Sequence, residues 1–65
     1  MPKITLKAAR VNASLSQIEA AEKIGVAAST LRNWEAGKTF PTKPKIDKIC
    51  EVYGIDFDVL FLDSD

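Results

Sequence analysis

Hydrophobic residues recur along the chain at intervals of three and four positions, whereas alternating apolar and polar runs bounded by turns do not recur. This spacing collects apolar side chains on one face of an α-helix and gives only a weak strand signal. It predicts an all-α domain of five short helices. The predicted helices cover residues 5–13, 16–24, 28–36, 43–53 and 56–62. No repeat, linker or low-complexity segment interrupts them, so residues 1–65 are expected to form one domain.

Residues that favour helix ends stand where the apolar spacing starts and stops. Ser16 is followed three positions later by Glu19, the spacing of a capping box. Proline is tolerated in the first turn of a helix, and glycine adopts the left-handed conformation that ends one. The other residues of these kinds are Thr5 and Asp56 at predicted starts, Pro44 in a predicted first turn, and Gly25, Gly37 and Gly54 after predicted ends. These residues support the five boundaries independently of the apolar pattern.

The second and third predicted helices form a unit, because a short turn containing Gly25 joins them as in a helix-turn-helix. Ala21 is small enough for the third helix to cross close to it, and Leu31 and Trp34 form the buried face of that helix. The opposite face carries Ala28, Ser29, Arg32 and Asn33. A helix with such a polar outer face suits insertion into the major groove of DNA.

The net charge of the chain is zero, which at first argues against a nucleic-acid partner. However, residues 1–48 carry nine basic and four acidic side chains, a net charge of +5. Residues 49–65 carry five acids and no base, a net charge of −5. The asymmetry indicates a directed electrostatic surface, with the acidic end expected to face away from DNA and to limit non-specific binding. The alternative is an ordinary mixed surface with an acidic tail.

Several classes of function lack the residues they need. The chain has no histidine and one cysteine, Cys50, which argues against a metal site, a disulfide, a cofactor-dependent site or an enzyme. No small-molecule ligand is expected. No apolar run reaches the roughly 18 residues that span a bilayer, and no secretory signal follows Met1. We therefore expect a cytoplasmic protein without a membrane partner.

Six groups of residues, read together, resemble a known family. They are Leu6-x-x-Ala9-Arg10, Leu15-Ser16-Gln17-x-x-x-Ala21, Ile24-Gly25-Val26, Thr30-Leu31-x-x-Trp34-Glu35-x-Gly37-Lys38, Pro41, and Gly54-Ile55-Asp56-Phe57-x-x-Leu60-Phe61. From about Leu6 to Leu62 the chain resembles the Cro/CI-type (XRE-like) helix-turn-helix family of phage repressors and related bacterial regulators. The resemblance implies a compact, five-helix, lambda-repressor-like domain that binds operator DNA as a dimer in the cytoplasm of a bacterial or phage-infected host, associated with the nucleoid.

The resemblance also implies roles for individual residues. The implied base-contacting residues are Ala28, Ser29, Arg32 and Asn33, and the implied phosphate-contacting residues are Gln17, Lys38, Thr39 and Lys43. Arg10 and Glu35 match a family ion pair that ties the first helix to the end of the third. Each role has a plainer alternative, because Arg32 could be a solvated helix residue, Gln17 an ordinary surface residue, and the lysines solubilising charges.

The chain departs from the family pattern at three positions. Ala27 stands where a serine or threonine cap is common, so the third helix is expected to begin without a side-chain cap. Ala28 replaces a long polar residue and can offer only an apolar contact, such as one to a thymine methyl group. Ile18 stands where a polar residue is frequent and is expected to be exposed.

A chain of this size buries little surface, and association would compensate. We predict a homodimer, at least on a pseudo-palindromic operator, formed through Phe57, Val59, Phe61 and Leu62. The leading hypothesis is a Cro-like or repressor-type regulator of phage or prophage origin. The alternative is a protein-interaction module of the same fold, such as an antitoxin or antirepressor partner, without direct DNA readout. The chain could also be the DNA-binding part of a longer repressor.

Overall fold

Residues 4–61 are described by a computed structural model, and helices dominate them. Within this range the four α-helices are α1 (Leu6–Asn12), α2 (Gln17–Ile24), α3 (Ala28–Glu35) and α4 (Lys43–Tyr53). A 3₁₀ turn, Phe57–Val59, follows α4. Two short strands, β1 (Ile4–Thr5) and β2 (Leu60–Phe61), lie at the two ends of the described chain. The first four predicted helices are confirmed to within one residue at either end.

The prediction of a fifth helix over residues 56–62 is wrong for the residues that the structure describes. Only one 3₁₀ turn forms after Asp56, whose side chain makes no capping hydrogen bond. The chain then becomes extended, and β2 pairs in parallel with β1, with Ile4 opposite Leu60. Leu60 is buried in the core, as the apolar spacing suggested, but it lies in a strand and not in a helical turn. The strand signal in the sequence is weak because strands of two residues are too short to show alternation.

The starts of α1 and α2 form as the sequence predicts. The Thr5 hydroxyl oxygen accepts a hydrogen bond from the Ala8 backbone N–H at 3.1 Å. The Ser16 hydroxyl oxygen accepts from the Glu19 N–H at 3.1 Å, and the Glu19 carboxylate accepts from the Ser16 N–H at 3.0 Å. These two bonds complete the capping box. The pKa of Glu19 is lowered, first by the hydrogen bond that its carboxylate accepts from the Ser16 backbone N–H and then by the Ser16 side chain. Both helices thus begin with a free N–H group satisfied by a side chain.

Gly25 ends α2 in the left-handed conformation, with φ of +92°. Its backbone N–H donates to the Ala21 carbonyl oxygen at 2.8 Å, which satisfies one of the carbonyls left free at the end of a helix. A side chain at this φ would be strained. Gly25 therefore sets the turn that leads from α2 into α3.

The core lies between α2, α3 and α4, with α1 and β2 closing it. Ala20 and Ala21 are buried on the face of α2 that packs against α3 and α4, and their small side chains allow these helices to approach. Leu31 and Ile49 are the largest fully buried side chains. Leu15 and Val26 pack against this core from the segments that flank α2. The core therefore fixes α3 relative to α2, which is the relation that a helix-turn-helix requires.

Candidate nucleic-acid interface

The helix α3 has one buried face and one exposed face. Leu31 is fully buried and Trp34 is nearly so, which agrees with a core role for the tryptophan. Ser29, Arg32 and Asn33 are exposed. Because residues three and four positions apart lie on the same side of a helix, these three form one outward surface. We call this surface the reading face.

Ala28 is placed differently from the three residues of the reading face. It is partly buried and packs against the core, so only part of its methyl group can meet a ligand. Ala27, before it, occupies the N-cap position of α3 and makes no side-chain hydrogen bond to the helix. The expected absence of a side-chain cap is therefore confirmed.

A buried ion pair joins α1 to the end of α3. The Arg10 Nε atom donates to Glu35 Oε2 at 2.8 Å, and Arg10 Nη2 donates to Glu35 Oε1 at 3.4 Å. The side chains of Arg10 and Glu35 are only 10% and 5% exposed. Arg10 Nη1 also donates to the Leu15 backbone carbonyl at 2.8 Å, so the guanidinium spans from α1 to the segment that precedes α2. A buried pair with these additional bonds fixes the relative positions of the elements that it joins.

Gln17 joins the same group of side chains. It is the first residue of α2, and its Nε2 atom donates to Glu35 Oε1 at 3.0 Å. The carboxylate of Glu35 therefore accepts from two side chains on two other helices. The resemblance also implies that Gln17 braces the third helix, but it does not identify Glu35 as the partner. No periodic pattern connects the two residues, because they are 18 positions apart.

The loop between α3 and α4 adds an exposed basic segment. Lys38 and Thr39 are exposed, whereas Pro41 is buried and holds the loop to the body of the protein. The Lys38 backbone N–H donates to the Asn33 carbonyl at 3.0 Å, which keeps the loop close to the end of α3. Exposed Lys and Thr side chains are typical of phosphate-contacting segments.

Two further lysines are exposed but paired. Lys43 Nζ lies 2.8 Å from Asp47 Oδ1 and 6.0 Å from the centroid of the Phe57 ring. Lys48 Nζ lies 3.4 Å from Glu51 Oε1. Such exposed pairs contribute little to stability, so a phosphate can replace the carboxylate at small cost.

The residues of the expected dimer surface are only partly described. Phe57 is 51% exposed and Val59 is partly buried. The side chain of Phe61 and the whole of Leu62 lie outside the described residues.

Ile18, at the start of α2, is 66% exposed, which confirms the expectation for that position.

Two titratable groups of α4 have shifted pKa values. Burial raises the pKa of Tyr53 to about 12, the Glu35 charge adds to the increase, and Arg10 opposes it. The Tyr53 hydroxyl is buried and has no hydrogen-bond partner among the described residues. Burial also raises the pKa of the partly buried Cys50 thiol, with a contribution from Asp47 and Asp56. A thiol with a raised pKa is a poor nucleophile, so Cys50 is expected to be inert at neutral pH.

Residues 4–61 contain no group of three or more His, Cys, Asp or Glu side chains placed to hold a metal ion. None of the helices in the part of the chain that the structure describes has the length and apolar character to cross a membrane.

Comparison with known families agrees with this geometry. Residues 6–60 match the profile of a family described as helix-turn-helix, and the chain belongs to this family in its XRE-type, Cro/CI-like form. The resemblance read from the sequence is thereby confirmed. No curated protein and no solved structure gives a match. The family is one of DNA-binding transcription regulators and is typically non-enzymatic.

Proposed function

We propose that this protein is a sequence-specific, double-stranded-DNA-binding regulator of the Cro or repressor type. It would occupy an operator by inserting α3 into the major groove, with the reading face toward the bases. One observation carries the proposal: Ser29, Arg32 and Asn33 are exposed on the side of α3 opposite Leu31 and Trp34. The buried side holds α3 against the core and leaves its polar side unobstructed.

Each residue of the reading face has a chemistry that suits base edges. The Arg32 guanidinium can donate two parallel hydrogen bonds to O6 and N7 of guanine, and the Asn33 amide can bond adenine in the same way. Ser29 can donate to or accept from either type of base. Ala28 offers at most an apolar contact to a thymine methyl group, and its partial burial limits that contact. Sequence readout would therefore rest on Arg32 and Asn33.

The contacts to the DNA backbone would come from both sides of the reading face. Gln17 lies at the start of α2, and Lys38 and Thr39 lie in the loop after α3. Lys43 would exchange its partner Asp47 for a phosphate. Each lysine that neutralises a phosphate steepens the dependence of affinity on salt by about one counterion.

A homodimer would place two copies of α3 about 34 Å apart, on successive turns of a pseudo-palindromic operator. The half-exposed Phe57 ring supports this arrangement, because an exposed aromatic ring is stabilised when a second surface covers it. Val59, Phe61 and Leu62 would complete the interface. Occupancy of the operator would exclude polymerase, as in phage or prophage repression, and the protein would reside with the nucleoid.

Selection from random duplexes at two salt concentrations tests the proposal. We expect one enriched sequence and an affinity that falls as salt increases. Arg32→Ala should then weaken operator binding by about 1–3 kcal/mol and relax the preference at one base pair. Arg32→Lys keeps the charge but loses the planar fork, so it should retain the salt dependence and lose the discrimination. Lys7→Ala, an exposed charge on α1 outside the proposed contacts, is the matched control. Failure to enrich any sequence, together with salt-independent binding, would contradict the proposal.

The exposed Phe57 and Ile18 side chains also favour a second candidate, a protein-interaction module of the same fold. An antitoxin or antirepressor partner would bind these apolar residues rather than DNA. Under this alternative, Arg32→Ala has no effect on binding of the protein partner, and Phe57→Ala abolishes that binding. Under the leading proposal, Phe57→Ala weakens binding to a two-half-site operator but spares binding to a single half-site.

A further inference from the structure

The Glu35 carboxylate is placed where a helix alone would disfavour it. It belongs to the last residue of α3, and a negative charge near the C-terminus of a helix is repelled by the helix dipole. It is nevertheless 95% buried, with Arg10 donating to both of its oxygens. Arg10 therefore compensates the charge, and the carboxylate keeps capacity for a further donor. That donor is the Gln17 side-chain amide.

The bond from Gln17 leaves half of the amide's donor capacity unused. A glutamine amide nitrogen carries two hydrogens. One of them points at Glu35 Oε1, at an N···O distance of 3.0 Å. Because the amide is planar and its side chain is tethered to α2, holding one N–H restricts the direction of the other. The described residues offer that second N–H no other partner, and Gln17 is only partly buried.

We propose that Glu35 is a positioning residue for DNA binding, which holds the Gln17 amide so that its second N–H is presented to a DNA phosphate. The inference rests on the proposed function, in which Gln17 contacts the DNA backbone. A side chain that is already ordered loses little rotamer freedom when it binds. The ion pair with Arg10 thus acts on DNA binding through Gln17, in addition to its role in the fold.

The geometry also couples two kinds of contact. Glu35 is part of α3, whose reading face would meet the bases, and Gln17 is part of α2. Arg10 holds the Leu15 carbonyl as well as Glu35, so the start of α2 and the end of α3 share one guanidinium. A phosphate bound by Gln17 is therefore held at a fixed distance from the reading face. The positioning would align the backbone contact with the base contacts.

A double-mutant cycle tests the positioning role. The background is Arg10→Met with Glu35→Leu, because apolar residues of similar volume can replace a buried ion pair without leaving a buried charge. In the native protein, Gln17→Ala should lower DNA affinity about tenfold, the loss of one charge-assisted hydrogen bond. In the Met/Leu background, the same change should cost less than about threefold. Since Gln17 is uncharged, the salt dependence should not change in either case.

Lys38→Ala is the control for this cycle, because Lys38 is exposed and the ion pair of Glu35 among the described residues is with Arg10. It should lower affinity by the same factor in both backgrounds and reduce the salt slope by about one. An equal cost of Gln17→Ala in the two backgrounds would overturn the positioning role. If Gln17→Ala has no effect in the native protein although DNA still binds, the positioning role is also wrong but the proposed function stands. If the native protein binds no duplex, the proposed function itself has failed.

A measurement without mutation covers the case in which the Met/Leu background does not fold. The ¹⁵N order parameter of the Gln17 side-chain amide in the free native protein should approach the roughly 0.85 of a rigid backbone. The Asn33 side chain, which is exposed on the same unit, is the internal reference and should fall below about 0.6. Equal mobility of the two amides would overturn the proposal, because an amide that is not held cannot be presented in one direction.

Discussion

The two helices of the helix-turn-helix unit have the same length, eight residues, but different means of support. In α2, a capping box closes the start and the left-handed Gly25 closes the end, so residues next to the helix satisfy its free backbone groups. In α3, Ala27 provides no side-chain cap. The helix is instead held by Leu31 and Trp34 in the core and by the bonds that Glu35 accepts from other helices.

Under the proposed function, the difference shows how a helix that reads DNA can be held firmly while its outward residues remain free to vary. The residues that hold α3 lie on its inner face and at its last position, whereas Ser29, Arg32 and Asn33 make no side-chain bond to the rest of the described chain. If these three residues read the operator, as proposed, exchanging them would change the preferred operator without altering the fold. α2 shows the opposite arrangement, because its caps stabilise it locally and it presents a single proposed backbone contact, Gln17. Substitutions of the buried and capping residues of the two helices can test this contrast.

The largest effect is expected from Leu31→Ala, which removes the main support of α3. Leu31 is 0% exposed, and truncating a fully buried leucine to alanine costs about 2–5 kcal/mol of the free energy of unfolding. For a domain of this size, that is a large part of the total. Urea denaturation should show the loss, with Ile18→Ala on the exposed side of α2 as the control at less than about 0.5 kcal/mol. A loss below about 1 kcal/mol for Leu31→Ala would mean that α3 does not depend on the core.

A second effect concerns Tyr53, a core residue of α4 whose hydroxyl senses the charges of Glu35 and Arg10. Its pKa is raised to about 12 by burial, whereas an unfolded tyrosine titrates near 10. As the pH rises, Tyr53 therefore loses its phenolic proton at a lower pH in the unfolded state than in the folded state. The stabilising contribution of the buried neutral form is complete below pH 10 and is lost as the pH rises toward 12. We expect a loss of about 2 kcal/mol over that interval.

Tyr53→Phe isolates the contribution of the Tyr53 hydroxyl to the loss of stability at high pH. The variant should lack the additional alkaline loss in urea denaturation between pH 9 and 12. At pH 7 it should be as stable as the native protein or slightly more stable, since the hydroxyl it removes is buried without a partner. A destabilisation above about 1 kcal/mol at pH 7 would show that the hydroxyl makes a favourable bond.

Removing the cap of α2 is the next largest change. Ser16→Ala breaks the capping box by deleting the acceptor of the Glu19 N–H, at an expected cost of about 1 kcal/mol. Ser29→Ala is the matched control, because it makes the same chemical change in the first turn of α3, where the serine is exposed and caps nothing. Thermal unfolding should show a lower Tm for Ser16→Ala only. Equal effects of the two variants would contradict the contrast between the helices.

The smallest effect is a gain, obtained by giving α3 the cap that α2 already has. Ala27 has φ −71° and ψ 149°, close to the φ −76° and ψ 167° of Ser16. Ala27→Ser can therefore cap α3 without moving the backbone and should add about 0.5–1 kcal/mol. Ala36→Ser, at the other end of the same helix, is the control and should add nothing. No rise in Tm for Ala27→Ser would show that the first turn of α3 cannot use a side-chain acceptor.

The sequence predicted those features that depend on neighbouring residues. Three local features are predictable from a few adjacent residues. They are the Ser16–Glu19 capping box, the left-handed Gly25 and the missing side-chain cap at Ala27. The buried face of α3 followed from the spacing of Leu31 and Trp34. Family membership followed from the combined spacing of such local signals.

Features that join distant residues were not predictable from the same patterns. The pairing of β1 with β2 replaced a predicted fifth helix, because Leu60 fits a buried position in either conformation and only its distant partner decides between them. The bond from Gln17 to Glu35 and the unpaired Tyr53 hydroxyl also depend on three-dimensional placement. The Arg10–Glu35 pair was anticipated only through the resemblance to a family, not through spacing.

The pairing of Ile4 with Leu60 joins positions 56 residues apart, so the two short strands enclose nearly all the described chain in one loop. Closing so long a loop costs chain entropy, and a ladder of two residues per strand returns little of it. The pairing should therefore form only after the helices have packed, outside the transition state for folding. An interaction that is absent from the transition state affects the unfolding rate but not the folding rate. Weakening the pairing of β1 with β2 would therefore speed unfolding without slowing folding. The two strands would determine how long the native state lasts rather than how quickly it forms.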